Sequence, residues 1–544
     1  MFYSVRTNGI GILGKLAIFV FYSVICLAAS FSLLRNVLEY QVAGKWIGTI
    51  AIVAISGTVI SAASLFKSGH RIIPVVQACA FCMVVANMAV AAHCVLQMVG
   101  LACNGTPFRA VADFDNPAGV AALFCVTFPF VITAAVNRFR GLFVGAVFII
   151  DASVLFAIQS RAGLVALLAT TVVWCLSRLR VKRIRPAWVV VFALLMVTVA
   201  CGVLYLFRFK SASTNGRMVI INTCMRMVAE HPLFGWGFGG FGREYMASQA
   251  EYLKTIDNES ILMLSDNVTH PLSEYMLVTV NYGLAGLSAV IGLIALAVAR
   301  ALRKRGRTKI FLLMEICSVC VLSLFSYPFR YPMTTVALAC CIAPGLIGWI
   351  RNMPLIYRRM ASAITLFVFL AVLFALGPYY KSQVMWKEMT DRMNSNTDSA
   401  SGIKRDILPF TDRVLGDNPR YQYSRAVVNY FAGDYTAALA DAGKSSEQLS
   451  GYDTELLLGG ICQKMEMYGD ARLHYSEASY MCPSRITPLY RLFRLYEEQN
   501  DTANMVKVGH ELLNKPVKVH SHDTRAMRLD VRRFFFIGNQ LMSE

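Results

Sequence analysis

The chain has 544 residues, of which 56% are hydrophobic and only 16% charged. That is far below the charged share of about 25% in a soluble globular domain, which excludes a chain that is soluble throughout. The net charge of +19 suggests nucleic acid, but most basic residues sit in short connections between apolar runs, where membrane topology accounts for them. Most of the 15 cysteines lie inside apolar runs, as Cys79, Cys82, Cys317, Cys320, Cys340 and Cys341 do, and read as small core residues rather than disulfides or ligands.

Runs of about 20 apolar residues are the unit of a membrane-crossing helix. Taken in chain order, about eleven such spans are predicted, over 14–34, 46–66, 72–99, 118–136, 142–158, 163–177, 187–207, 272–299, 310–327, 333–350 and 360–379. The N-terminus has no cleavable-looking leader, so the first span is expected to remain as an anchor. The predicted fold class is an all-α polytopic membrane protein, with a membrane domain over 1–380 and a polar helical domain over 381–544.

One set of connections carries Lys67 and Arg71, Arg138 and Arg140, a cluster from Arg178 to Arg185, a second from Arg300 to Lys309, and Arg351, Arg358 and Arg359. The alternate set carries only Arg35, Lys45, Arg109, Arg161 and Arg330. The positive-inside rule then puts the N-terminus in the cytoplasm. The loop 208–271 and the C-terminal domain are outside, in the periplasm if the cell is Gram-negative.

The loop is roughly 60 residues long, and loops of that length without a role are uncommon. It reads as two helices and a turn. Asn215 is placed to cap a helix that His231-Pro232 ends near Glu230. An aromatic and glycine turn follows, from Gly235 to Phe241, and then a helix over 243–256. The turn satisfies G-x-G-x-x-G, but no strand precedes it, which argues against dinucleotide binding. A turn lying on the membrane surface fits better.

Three polar residues stand out on the outer face. Arg161 lies in Ser160-Arg161-Ala162-Gly163 at the mouth between two spans, Arg217 opens the loop, and His270 closes it before Pro271. Two guanidiniums there suit an anionic diphosphate, which they grip bidentately. A neutral imidazole nearby can take a proton from an acceptor hydroxyl. Taken singly, each has a blander account: an arginine snorkelling to headgroups, an arginine on lipid phosphate, a histidine at a helix start.

The C-terminal domain is helical and repetitive. Tyr435 and Ala438 recur 33 residues on as Tyr468 and Ala471, Pro483 recurs as Pro516, and Gly433-Asp434 and Gly469-Asp470 mark turns. A period of about 34 resembles tetratricopeptide repeats, two to three of them. Such an array either presents a face to a protein or peptide partner or serves only as a cap.

Several of these features together resemble the O-antigen ligase and O-antigen polymerase family, which includes bacterial protein O-oligosaccharyltransferases. They are Ser160-Arg161-Ala162-Gly163, Asn215-Gly216-Arg217, His231-Pro232-Leu233-Phe234-Gly235-Trp236-Gly237, and His270 followed by Tyr275 and the run Asn281 to Leu287. The resemblance covers roughly 140–300. It implies a GT-C-type membrane fold that moves a glycan from undecaprenyl diphosphate to an acceptor, with no metal, no cofactor and no nucleotide sugar. The family's diphosphate-binding arginines carry over to Arg161 and Arg217, and its loop histidine to His270. Many members have His-Asn where this chain has His270-Pro271, and Asn267, three residues earlier, is a candidate stand-in. Arg330, in Tyr327-Pro328-Phe329-Arg330-Tyr331-Pro332, is a candidate third contact to phosphate or glycan.

The expected function is therefore a ligase in the bacterial inner membrane, with lipid A–core as acceptor. A lipid-linked repeat (polymerase) or a protein hydroxyl (oligosaccharyltransferase) are the alternatives. A transporter of lipid-linked glycans would call for repeated spans and charges deep in the bilayer, and neither is seen. A non-catalytic scaffold would not account for the retained arginines and histidine.

Overall fold

The computed structural model describes residues 72–103, 108–134, 140–179, 211–331, a few positions within 334–341, 354–395, 397, 400–518 and 521–541. The expected spans 14–34, 46–66 and 187–207, most of 333–350, and the N-terminal anchor lie outside the described residues. Every regular element among the described residues is helical. Among the described residues, three helices are long and apolar enough to cross a membrane, over Phe81–Met98, Glu274–Leu302 and Gly306–Phe325, and shorter apolar helices cover Pro117–Thr133, Gly141–Ala157 and Arg161–Ser177. The all-α, polytopic reading is thereby borne out. The chain divides into two compact units.

The first unit takes its described residues from the part up to Phe209, from Leu272–Glu274 and from Val290–Gln383. Its helices are α1 (Ile72–Met98), α2 (Pro117–Ala134), α3 (Arg140–Ala157) and α4 (Arg161–Leu179). In the second unit, the loop holds α5 (Ser211–Glu230), α6 (Gly240–Lys254) and the one-turn α7 (Glu259–Leu262). Next in the chain are α8 (Glu274–Leu302), whose residues 275–289 belong to the second unit, and α9 (Gly306–Phe325) of the first.

The sequence of α2 explains its place. It is apolar on every side, and such a helix is stable only when surrounded. Val120, Phe124, Phe128 and Val131 are all fully buried, and α2 packs against α1, α3, α4 and α9. With no hydrophobic drive between helices in lipid, packing and polar bonds hold such a bundle. The Asn87 amide of α1 donates to the Thr127 hydroxyl of α2 at 2.9 Å and to the Asp151 carboxylate of α3 at 3.1 Å. The Ser318 hydroxyl of α9 donates to the Cys125 carbonyl of α2 at 2.7 Å.

The second unit joins residues 210–271 and 275–289 to Val384–Glu544. After the long helix α10 (Leu355–Ser395) come α11 (Ala400–Asp406), α12 (Leu408–Leu415), α13 (Pro419–Phe431), α14 (Tyr435–Gln448), α15 (Tyr452–Lys464), α16 (Tyr468–Met481), α17 (Thr487–Glu498), α18 (Thr502–Asn514) and α19 (His522–Leu541). From α13 to α18 each helix packs on the next, so the chain folds as successive antiparallel hairpins. The recurring alanines, Ala438 and Ala471, are fully buried at the crossings. Of the two predicted turns, Gly433-Asp434 precedes α14, which Asp434 caps through the Ala437 N–H, whereas Gly469-Asp470 already lies in the first turn of α16; Asp501 caps α18 through the Asn504 N–H.

One ion pair in this module predicts a pH dependence. The His474 ring of α16 lies 2.7 Å from the Glu455 carboxylate of α15. Hydrogen bonding to Cys462 and Glu455 pushes its imidazole from the usual 6.5 up to about 9. A folded value above the unfolded one means the pair contributes fully below 6.5 and loses its contribution as pH rises through about 9. We expect the unfolding midpoint to fall across that window and His474→Gln to flatten the slope, as read by thermal melts at stepped pH.

Candidate functional site

Arg161 is the first residue of α4 and is only 8% exposed. Its position follows from the turn before it. Gln159 takes a left-handed φ of 57°, the Ser160 N–H donates to the Leu155 carbonyl at 2.8 Å, and Ser160 in turn accepts from the Leu164 N–H at 3.1 Å. Two residues on, a β-carbon added to Gly163 would lie 2.8 Å from Cβ of Ala121 and 2.9 Å from the Leu155 side chain. The glycine thus lets the start of α4 press against the start of α2, and the Ser-Arg-Ala-Gly motif reads as a tight turn, a rim cation and a packing gap.

At the same end of the bundle, the segment 110–116 folds over the helix starts. The Gln97 amide accepts the N–H groups of Val111 and Ala112, at 2.9 and 2.8 Å. Asn116 caps α2 through the Ala118 N–H, with Pro117 opening the helix. Arg330 is held in this layer. Its guanidinium lies 3.3 Å from the Asp115 carboxylate and over the Tyr327 ring, at 5.5 Å from the centroid. The Tyr331 hydroxyl is 3.0 Å from both Asp115 and Asn116, the Asn116 amide donates to Tyr327 at 2.8 Å, and the Phe329 N–H donates to Glu274 at 3.1 Å. Sequence reasoning found Arg330 but missed Asp115, its counter-ion. The Asn-Pro helix start at 116–117 was the available signal for an ordered polar turn there.

In the second unit, α5 begins at Ser211, so Asn215 lies inside the helix and not at its cap. The cap expectation misplaced the start by five residues, because the stretch before Asn215 is already helical. Glu230 ends the helix at His231-Pro232 as expected. Arg217 is half-buried on α5, and a β-carbon on neighbouring Gly216 would lie 3.8 Å from the Leu264 carbonyl. The start of α5 therefore runs beside the stretch that leads to His270.

The aromatic and glycine turn is locked to α8. At Gly283 the helix breaks, with φ 64° and ψ −164°. A continuous helix would bond the Leu284 N–H to the Val280 carbonyl and the Ala285 N–H to the Asn281 carbonyl. Instead the Val280 and Asn281 carbonyls accept from the N–H groups of Trp236 (3.0 Å) and Gly237 (2.8 Å), while Leu284 and Ala285 donate to Pro232 (2.8 Å) and Leu233 (3.1 Å). Two helical bonds are replaced by four across the break. The Asn281 side chain accepts from the Phe241 N–H at 2.8 Å and so caps α6, which has no side-chain cap of its own. Trp236 donates from its indole to the Met227 carbonyl at 2.9 Å and meets the His231 ring edge-on at 4.3 Å.

His270 is half-buried at the end of an irregular stretch between α7 and α8. Leu272, just after Pro271, holds a φ of 57°, a conformation that costs a branched residue energy and clusters at functional sites. Upstream, Asp266 accepts from Arg485 at 3.1 and 2.8 Å. Burial pushes its carboxyl up, but the Asn267 N–H and the Arg485 guanidinium outweigh this and hold it below the usual carboxylate range. The Asn267 amide donates to Asp453 at 3.2 Å. The structure thus gives Asn267 a partner from α15 that the sequence did not suggest. Among the described residues no cluster of His, Cys, Asp and Glu could hold a metal ion.

The clasp yields a sharp test. A β-carbon on Gly283 would stand 2.3 Å from the Leu233 carbonyl carbon, in a backbone region open only to glycine, whereas Gly292 of the same helix has open space. Gly283→Ala should cost at least about 3 kcal/mol of stability and Gly292→Ala close to nothing, measured by thermal unfolding of the purified protein.

A family model described as O-antigen ligase matches residues 146–291. That stretch contains the Ser160–Gly163 turn, α5 with Arg217, the locked turn, His270 and the Gly283 break. No curated protein matches the chain. Over residues 146–291 the chain is thus similar to the O-antigen ligase family.

Proposed function

We propose that the protein transfers a glycan from undecaprenyl diphosphate to an acceptor hydroxyl, with lipid A–core as acceptor, on the periplasmic side of the inner membrane. The observation that carries this is the family match, whose bounds take in Arg161, Arg217 and His270 together. Arg161 and Arg217 bind the lipid diphosphate. Preorganised cations stabilise the charge that develops as the glycosidic bond breaks, and undecaprenyl diphosphate leaves. His270 accepts the proton of the attacking hydroxyl. Direct attack at the anomeric carbon inverts it.

Arg330 and Asn267 are secondary substrate contacts in this scheme. Each already has a carboxylate partner, Asp115 and Asp453 respectively, so each is placed before substrate arrives. Leu233, Phe234 and Phe238 are 62%, 77% and 71% exposed on the rigid turn, which suits contact with the bilayer surface beside a lipid-linked donor. The helical hairpins of 419–514 favour a second reading with a protein acceptor, through tetratricopeptide-like recognition of a protein partner.

Purified protein given undecaprenyl-diphosphate glycan and lipid A–core should release undecaprenyl diphosphate. We expect Arg217→Ala and His270→Ala each to slow that release by about 100-fold or more. Release at the unsubstituted rate in either variant would overturn the assignment, and transfer only to a protein hydroxyl would select the second reading.

A further inference from the structure

The segment just before His270 carries an unusual density of bonds for an irregular stretch, and most come from the C-terminal helices. The Ser265 carbonyl accepts from the Ser484 hydroxyl at 2.9 Å. The Asp266 carboxylate accepts two bonds from Arg485 and pairs with Lys518 at 3.4 Å. The Asp266 carbonyl accepts from the Gln249 amide at 3.1 Å, and the same amide donates to the Met481 carbonyl at 2.8 Å. Gln249 is fully buried, and its own oxygen accepts from Tyr245 at 2.9 Å. One buried side chain of α6 therefore ties the segment to the end of α16.

The attachment is broad. The Gly242 carbonyl accepts from the Ser450 N–H at 3.1 Å, and Lys254 pairs with Glu477 at 3.0 Å while covering the Tyr480 ring. Arg485 lies over the Tyr452 ring at 4.7 Å, which orients its guanidinium toward Asp266. His270 lies only four positions after Asp266, so the histidine is leashed within about 14 Å of the anchor. After it, Pro271 restricts the His270 backbone, and the Leu272 side chain packs into the core of the first unit.

We propose that Arg485 is a positioning residue for His270: with Ser484, Gln249 and Asp453 it fastens the 265–267 segment, making the C-terminal helices part of the catalytic apparatus. This rests on the acceptor-activating role given to His270 above. A catalytic base must be held to within a fraction of an ångström, and the irregular stretch has no regular structure of its own to do so. The helical hairpins supply that rigidity from outside the loop.

The test uses the full chain in lipid nanodiscs, with two readouts. In Arg485→Ala, deuterium uptake over 265–271 should rise while uptake over 452–481 stays unchanged, which separates loss of the anchor from loss of the fold. The turnover number for undecaprenyl diphosphate release should fall by about 100-fold, with KM for the lipid-linked glycan within about threefold of the unsubstituted protein. Asp266→Ala should behave alike, and the double variant should fall no lower than the worse single, because both remove one contact. Unchanged uptake over 265–271, an unchanged turnover number, or losses that simply multiply in the double variant would each overturn the proposal. If the unsubstituted protein releases no undecaprenyl diphosphate, the proposed function fails, and the exchange readout alone then decides whether the anchor exists.

Discussion

The exchange of hydrogen bonds at Gly283 organises the stretch between α5 and α8. A helix broken in the middle leaves carbonyls and N–H groups without partners, and where no water can reach, each orphan costs several kcal/mol. Here the orphans of α8 are met one for one by the orphans of the turn at Pro232–Gly237. Neither half is stable alone: the turn has no strand to join, and the helix has no reason to break. The residues that make the exchange possible are those whose backbones approach too closely for a side chain, Gly235 and Gly283. The same exchange places Asn281 to cap α6, so the geometry of the second loop helix depends on it as well.

Two of the candidate residues have carboxylate partners. Arg330 and Asn267 sit against carboxylates, which hold them in place but also partly satisfy them. A phosphate arriving at Arg330 would compete with Asp115 for the same guanidinium. The place of Arg161 follows from a tight turn and from the packing of Gly163 against α2. An arginine at the mouth of a bundle, with most of its surface covered, keeps its charge in a setting less screened than water, where a diphosphate gains more from it.

The helices after residue 419 do two things at once. Their small residues at the crossings build a stack of hairpins with its own core, around Ala438, Ala442, Leu458 and Ile461. Their polar groups near 450–485 meet α6 and the segment before His270 with hydrogen bonds and ion pairs. Contacts of that kind contribute little binding energy each, yet they fix register and direction, which a loop of irregular backbone lacks.

What the sequence determined is what local chemistry determines. Runs of apolar residues made the membrane helices, His231-Pro232 marked where a helix stops, and the 33-residue recurrence of Tyr and Ala marked the hairpins. Arg161, Arg217 and His270 stood out as candidates because polar residues at span ends are few and the motif order around them is distinctive. The partners of these residues were not legible. Asp115 lies more than two hundred positions from Arg330, and Arg485 a similar distance from Asp266. Nothing in either neighbourhood signals the other, because an ion pair leaves no periodicity in the chain. The start of α5 was misjudged for a related reason: Asn215 resembles a cap locally, and only the folded context shows that the helix already runs through it. The break at Gly283 lies inside an apolar run that reads as one span. Only the turn folded against it, supplying four backbone bonds for two, makes that break stable.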